Sequence, residues 1–333
     1  MDNKQIILKS YPKGMPEPSN FEITETEIDE IPEEGVLIKV KFISLDPYMR
    51  GRMTPEKKDG LVFKLGEPIE GGIVGEVIKS TTMMFREGDM VAGFLPWKNY
   101  VTAYGWELNK VHTSNFPDSY SLGPLGITGL TAYFGLTEIG KPKEGETLLV
   151  SSAAGGVGSI VGQIGKIMGC HVVGICGSDK KVNFVKEELG FDDAFNYKKE
   201  EDINLAIKKY CPDGIDIFFD NVGGNIEDAA LQSINKFARI VVCGQVSLYN
   251  EYPRPAGPRI ASELISKSAI MQGFMVRNYR KRFKEAINQL VEWLVMGKLI
   301  GIENITVGME NTPQAFIDML NGKNIGKQVI QFY

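Results

Sequence analysis

The run Thr147-Leu148-Leu149-Val150-Ser151-Ser152-Ala153-Ala154-Gly155-Gly156-Val157-Gly158 joins an apolar stretch to three closely spaced glycines. An apolar-periodic segment follows that reads as a helix from near Ser159 to Met168. Strand, glycine turn and helix, in that order, bring backbone N–H groups against a pyrophosphate, with the positive end of the helix dipole aimed at its charge. The chemistry implied is dinucleotide binding, and therefore redox. Ala153 stands where the first glycine of G-x-G-x-x-G would sit, so the surroundings must carry the assignment.

The next strand, Cys170 to Gly177, ends in Ile175-Cys176-Gly177-Ser178. An acidic residue in that place accepts hydrogen bonds from the ribose hydroxyls of NAD. Here the place falls to Gly177, which leaves room for a 2′-phosphate, and Lys181 one helical turn later can neutralise it. The pattern favours NADP(H), with Asp179 read as a contributor to the helix cap. Two further strands, Ile215 to Asp220 and Arg239 to Gly244, lead into Asn221-Val222-Gly223-Gly224 and Gln245. Parallel sheets bind ligands at the carboxyl ends of their strands, so Asn221, Cys243, Gly244 and Gln245 are expected to line the crevice. An asparagine beside glycines is equally a turn-former.

These residues need a frame. A chain of 333 residues suggests about two domains. Up to residue 125, short strand patterns such as Gly35–Ser44 and Gly72–Ile78 alternate with glycine and proline, which predicts a β-rich domain. From residue 126 helix and strand alternate: helices over Thr128–Gly140, Lys180–Leu189, Glu227–Ile234 and Tyr279–Val295, strands between them, as βαβ units require. Residues 298–333 return to short strand-like pieces, the last being Gly326–Phe332.

At 43% hydrophobic and 24% charged, with a net charge of -5, the composition is that of an ordinary globular protein and argues against a general nucleic-acid surface. The amino terminus starts no signal-peptide hydrophobic region and no long charge-free apolar span exists, so a cytoplasmic protein is expected. Cys170, Cys176, Cys211 and Cys243 form no C-x-x-C pair and read as buried reduced thiols. With His112 and His171 the only histidines, no metal site is expected.

With these pieces placed, the chain resembles the zinc-independent members of the medium-chain dehydrogenase/reductase superfamily. It is similar in particular to the prostaglandin/leukotriene and alkenal double-bond reductases. The resemblance rests on Ser44-Leu45-Asp46-Pro47-Tyr48-Met49-Arg50-Gly51-Arg52-Met53, Ala153 to Ser159, Gly177 to Val182, Phe195 to Lys198, Phe219 to Gly224, Cys243 to Asn250 and Gly322 to Lys327, in the family's order. It implies an α/β fold: a Rossmann doubly wound parallel sheet over 126–297, with a β-rich GroES-like barrel domain formed by 1–125 and the returning segment 298–333.

The resemblance also implies roles. Gly155, Gly156, Val157 and Gly158 would hold the pyrophosphate, and Ser178, Lys181 and Tyr197 the adenosine phosphate end. Asn221, Cys243, Gly244, Gln245, Val246, Ser247, Tyr249, Phe274, Met275, Val276 and Asn324 would line the rest of NADP(H). Tyr249 is the candidate proton donor or ribose anchor, Tyr48 a wall or donor of the substrate site, and Arg50 and Arg52 candidates for polar substrate groups or structural salt bridges. The expected reaction is NADPH-dependent reduction of the carbon–carbon double bond of an enal or enone, in a homodimer that binds neither nucleic acid nor membrane. Quinone reduction with NADPH, and a non-catalytic NADP-binding or RNA-associated role, are the alternatives.

Overall fold

The computed structural model describes residues 3–55, 62–111, 115–251 and 253–332. Its contacts divide the chain into two compact units: residues up to 122 with 303–324 and 328 onward, and residues 123–302 with 325–327.

The first unit begins with β1 (Asn3–Leu8) and β2 (Phe21–Thr26), an antiparallel pair in which Ile6 faces Ile23. Then come β3 (Gly35–Ser44), β4 (Glu70–Ser80), β5 (Met90–Pro96), β6 (Tyr100–Tyr104) and β7 (Leu108–Lys110). Alternation along β3 puts Val36, Ile38 and Val40 inward, the period-two pattern of a half-buried strand. Between β3 and β4 a short 3-10 turn, Pro47–Arg52, is started by Pro47 and anchored by the fully buried Met49.

The second unit holds α1 (Ile127–Phe134), running into a π-helical turn Gly135–Gly140, and then β8 (Thr147–Ser151), α2 (Gly156–Ile167), β9 (His171–Cys176) and α3 (Asp179–Glu187). It continues with β10 (Asp193–Asn196), α4 (Ile203–Tyr210), β11 (Ile215–Asp220), α5 (Gly224–Leu231), β12 (Ile234–Val242), α6 (Ala261–Lys267), β13 (Ile270–Gly273) and α7 (Phe283–Val295). The strands form one parallel sheet in the order β10-β9-β8-β11-β12-β13. Order reverses between β8 and β11, so the crevice beyond their carboxyl ends is where such a sheet takes a ligand. β8 is buried along its whole length, as a central strand covered on both faces must be.

The chain closes with β14 (Glu303–Val307), α8 (Thr312–Leu320) and β15 (Lys327–Gln331). They complete a seven-stranded sheet in the order β14-β15-β3-β4-β5-β7, with β6 also pairing β3.

Several boundaries differ from those read in the sequence. α2 begins at Gly156, not near Ser159, because glycine propensity yields to a helix packed on the sheet. The helix read as Glu227–Ile234 is α5, and Ile234 already belongs to β12. The returning segment is not all strand. It contains α8, whose buried Ala315, Phe316 and Met319 share a helical face.

Candidate functional site

Beyond β8 the chain turns sharply. Ser152 takes a left-handed conformation (φ 50°), and the Gly155 N–H donates to its carbonyl at 2.9 Å. Gly155 is the N-cap of α2, and no side chain caps that helix. The amides of its first turn, Gly156, Val157 and Gly158, are therefore available to an anion. A Cβ on Gly158 would stand 2.3 Å from the Ser152 carbonyl oxygen, so only glycine permits the close turn. Ala153 is fully buried, and its Cβ would meet a Cβ placed on Gly174 of β9 at 2.9 Å. The glycine missing from the motif is thus matched by one in the neighbouring strand, and the left-handed residue is Ser152.

Across the strand-order reversal, side chains tie β8 to β11. The Ser151 hydroxyl donates to Asp220 Oδ1 at 2.7 Å and accepts the Asn221 N–H at 2.8 Å, while Asn221 Nδ2 donates to the Ser151 carbonyl at 2.8 Å. Asp220 is fully buried and also accepts from the Val222 and Gly223 amides. Glu227 on α5 is buried beside it. Burial and the nearby Asp220 charge push its carboxyl up to about 7. Its Oε2 receives no hydrogen bond, so a proton held between the two carboxyls is the arrangement that satisfies both. Neither Ser151 nor Glu227 was singled out in the sequence. A serine ending an otherwise apolar strand was the available signal.

At the end of β9, Ser178 caps α3, its hydroxyl accepting from the Lys181 N–H at 3.4 Å. Asp179 is not the cap. Its carboxylate is held by Asn196 and Lys199 at 2.9 and 2.5 Å. The space over Gly177 is bounded by Tyr197 and Lys198, whose Cε1 and Nζ would lie 3.5 and 3.9 Å from an added Cβ. Burial, and then the neighbouring Lys198 charge, lower the Lys181 pKa. Lys198 over Gly177, and Lys181 near enough for the two charges to couple, are a donor set suited to a phosphate monoester. Lys198 is the member that sequence reasoning left unassigned.

The turn after β12 is held by backbone: Cys243 and Gly244 donate to the Asp220 carbonyl at 2.8 and 3.1 Å, and Ser247 N–H and hydroxyl to the Val222 carbonyl at 3.1 and 2.7 Å. Val246 starts a short 3-10 turn that ends in Tyr249. The Tyr249 hydroxyl lies over Gly244, 3.6 Å from where its Cβ would be, and faces the Gln245 N–H. Burial raises its pKa, so it keeps its proton at neutral pH. Burial likewise raises the Cys243 thiol to about 12. Phe274, just past β13, packs near Gly135 and Phe219, Met275 is exposed, and Val276 packs beside Leu130 and Phe134. Of these three, Met275 has the most open side chain. His171 opens β9, at the sheet edge opposite these turns, and His112 lies outside the described residues.

In the first unit, Tyr48 and Arg52 share the Pro47–Arg52 turn. The Tyr48 ring is 36% exposed, and desolvation and Asp46 raise its pKa. Arg50 turns toward the chain's own carbonyls, in line with the structural alternative read for it. It is buried, and its guanidinium donates to the carbonyls of Gly14 (2.7 Å), Pro12 and Met53 (both 3.4 Å), so it ties the turn to the residues after β1. Asn324 lies in the turn between α8 and β15.

The fold and the reversal-point crevice define a dinucleotide-binding oxidoreductase, and comparison with known proteins carries this further. Residues 4–111 match the profile described as N-terminal domain of oxidoreductase, and residues 156–292 the one described as zinc-binding dehydrogenase. Among the described residues no group of three or more His, Cys, Asp or Glu side chains could hold a metal ion. A 2-alkenal reductase (NADP(+)-dependent) from Nicotiana tabacum is 42% identical, covering 99% of this chain and 97% of its own. An NADPH-dependent curcumin reductase from Escherichia coli (strain K12) is also 42% identical, covering 99% and 96%. The structure of CurA from Vibrio vulnificus in complex with NADPH superposes with a TM-score of 0.94 at 41% identity, covering 99% of each chain. The chain belongs to the zinc-independent medium-chain dehydrogenase/reductases, in the family of NADP-dependent double-bond reductases. No helix among the described residues is long and apolar enough to cross a membrane.

Proposed function

We propose that the protein reduces the carbon–carbon double bond of α,β-unsaturated aldehydes or ketones, using NADPH. The observation that supports its cofactor half is Lys198 over Gly177, with Lys181 near enough for the two charges to couple, beside the uncapped glycine turn. When bound, NADPH supplies the hydride that reaches the β-carbon of the substrate. The amides of Gly156 to Gly158 would hold its pyrophosphate, Lys181, Lys198, Ser178 and Tyr197 its 2′-phosphate, and the 243–249 turn its nicotinamide half. Tyr249 and Tyr48, whose pKa values are both raised, remain O–H donors. Tyr249 donates toward the charge that develops on the substrate or delivers the proton to its α-carbon, and within the first unit Tyr48 is the candidate O–H donor to substrate. Hydride addition to a conjugated double bond needs orientation and such donors rather than an acid–base histidine.

Loss of the reduced-nicotinamide absorbance is followed across a panel containing 2-nonenal, 3-buten-2-one and a simple quinone. Turnover of the enal and enone well above the quinone is expected, and Tyr249→Phe should reduce it by about tenfold or more. Quinone turnover alone, or NADPH binding with no turnover, would overturn the reading. The homodimer implied by the family is checked by light scattering.

A further inference from the structure

The 243–249 turn rests on the residues that join β11 to α5. Its Cys243 and Gly244 amides donate to the Asp220 carbonyl, and Ser247 donates to the Val222 carbonyl. The Gln245 side chain lies over Gly223, its Cγ 3.1 Å from where a Cβ would stand. Against these same residues lies the buried carboxyl pair. Asp220 is served by three donors, the Ser151 hydroxyl and the Val222 and Gly223 amides, whereas Glu227 Oε2 has none. One proton, carried on Glu227 and donated to Asp220, satisfies both. Glu227 also faces the Gln245 side chain. It stands in the first turn of α5, which Gly223 and Gly224 open at positive φ, 69° and 59°.

The other charge acting on Glu227 is Asp228 of its own helix. α4 meets α5 in an apolar cluster that includes Ala206, Ile207, Ile226 and Ala230. On the turn the titratable neighbours are Cys243, beside Asp220, and Tyr249, on which Arg254 acts; burial keeps the thiol and the phenol protonated. Losing its proton thus sets a buried Glu227 against two carboxylates. The groups placed to give way are Gln245 and the glycine-led start of α5.

From this arrangement we infer that Glu227 is a positioning residue for the cofactor: protonated, it bridges Asp220 and Gln245 and sets the 243–249 turn for NADPH, and loss of its proton weakens NADPH binding. The inference rests on the reading that this turn holds the nicotinamide half. Burial and the Asp220 charge raise the carboxyl to about 7, so affinity is kept below that pH and lost above it. By linkage, bound NADPH favours the protonated carboxyl in return.

NADPH dissociation constants are measured by nicotinamide fluorescence from pH 6.5 to 9 on the full-length protein, Glu227→Gln and Gln245→Ala. At pH 6.5 Glu227→Gln, which keeps a neutral donor, should lie within about twofold of wild type. By pH 9 the wild-type constant should have risen about fivefold or more relative to that variant. Titration of the cofactor's own 2′-phosphate is common to all three proteins and cancels in the ratio. Gln245→Ala should bind more weakly throughout and share the pH profile of Glu227→Gln, and it carries the test if that variant does not fold. A wild-type slope retained in either variant would overturn the inference; retained in Glu227→Gln beside a flattened melting profile, it marks a purely structural carboxyl. No enone enters these titrations. A slope abolished in Glu227→Gln supports the inference even if no double bond is reduced, whereas parallel slopes beside enone turnover sink it and leave the reductase reading standing.

Discussion

The turn between β8 and α2 and the turn at Pro47–Arg52 present polar groups by opposite means. In the first the backbone offers the chemistry: uncapped amides, reached because Gly158 has no Cβ to strike the Ser152 carbonyl 2.3 Å away. In the second the side chains do. Arg50 turns inward onto the carbonyls of Pro12, Gly14 and Met53, while Arg52 turns out among aromatic rings. A backbone site is written in the spacing of small residues. A side-chain site depends on where the rest of the fold sends each side chain.

The comparison breaks most sharply at Gly158. Gly158→Ala should weaken NADPH by about 100-fold or more in a fluorescence titration, because the carbonyl it strikes is backbone and cannot move aside. If affinity is retained, the cradle is not the pyrophosphate site. On the other side, Arg50→Ala should lower stability by about 2–4 kcal/mol, since it strands three carbonyls. Denaturant unfolding measures it, and a loss of catalysis at unchanged stability would return Arg50 to the substrate. Lys181→Ala should raise the NADPH constant by about 10- to 100-fold while leaving that for NADH within about twofold. Equal effects would remove the 2′-phosphate assignment.

The smallest effect concerns Glu227. Its carboxyl is raised from 4.5 to about 7 in the fold. A raised folded-state pKa means its contribution is fully present below pH 4.5 and is lost as pH rises through 7. Glu227→Gln should therefore flatten that part of the stability profile, by on the order of 2 kcal/mol between pH 5 and 9. Melting temperatures across that range decide it. An unchanged slope would mean that the carboxyl pair does not share a proton.

Much of the dinucleotide face was legible in the sequence. Strand, turn and helix are local events, and Gly155 to Gly158, Gly177 and Asn221 announce themselves by type and spacing. What escaped was set by neighbours distant in sequence. Lys198 matters because β10 lies beside β9, and Glu227 because α5 returns over Asp220. The start of α2 was misplaced because sheet packing overrode glycine's poor helix propensity. α8 was missed because its apolar face is short, and tertiary packing stabilises it more than local preference does.

By itself, the sequence determined that this chain carries a Rossmann unit for a phosphorylated dinucleotide and a β-rich companion unit. Hydrophobic period and the absence of a Cβ act within a few residues and need no context. Only the tertiary structure decided why Ala153 is harmless, through Gly174 on the neighbouring strand, and which way each arginine of the Pro47–Arg52 turn points. Side-chain fate follows from contacts that sequence spacing does not encode: Arg50 closes on carbonyls 36 and 38 residues before it, and Arg52 on rings brought by β5 and by Phe63.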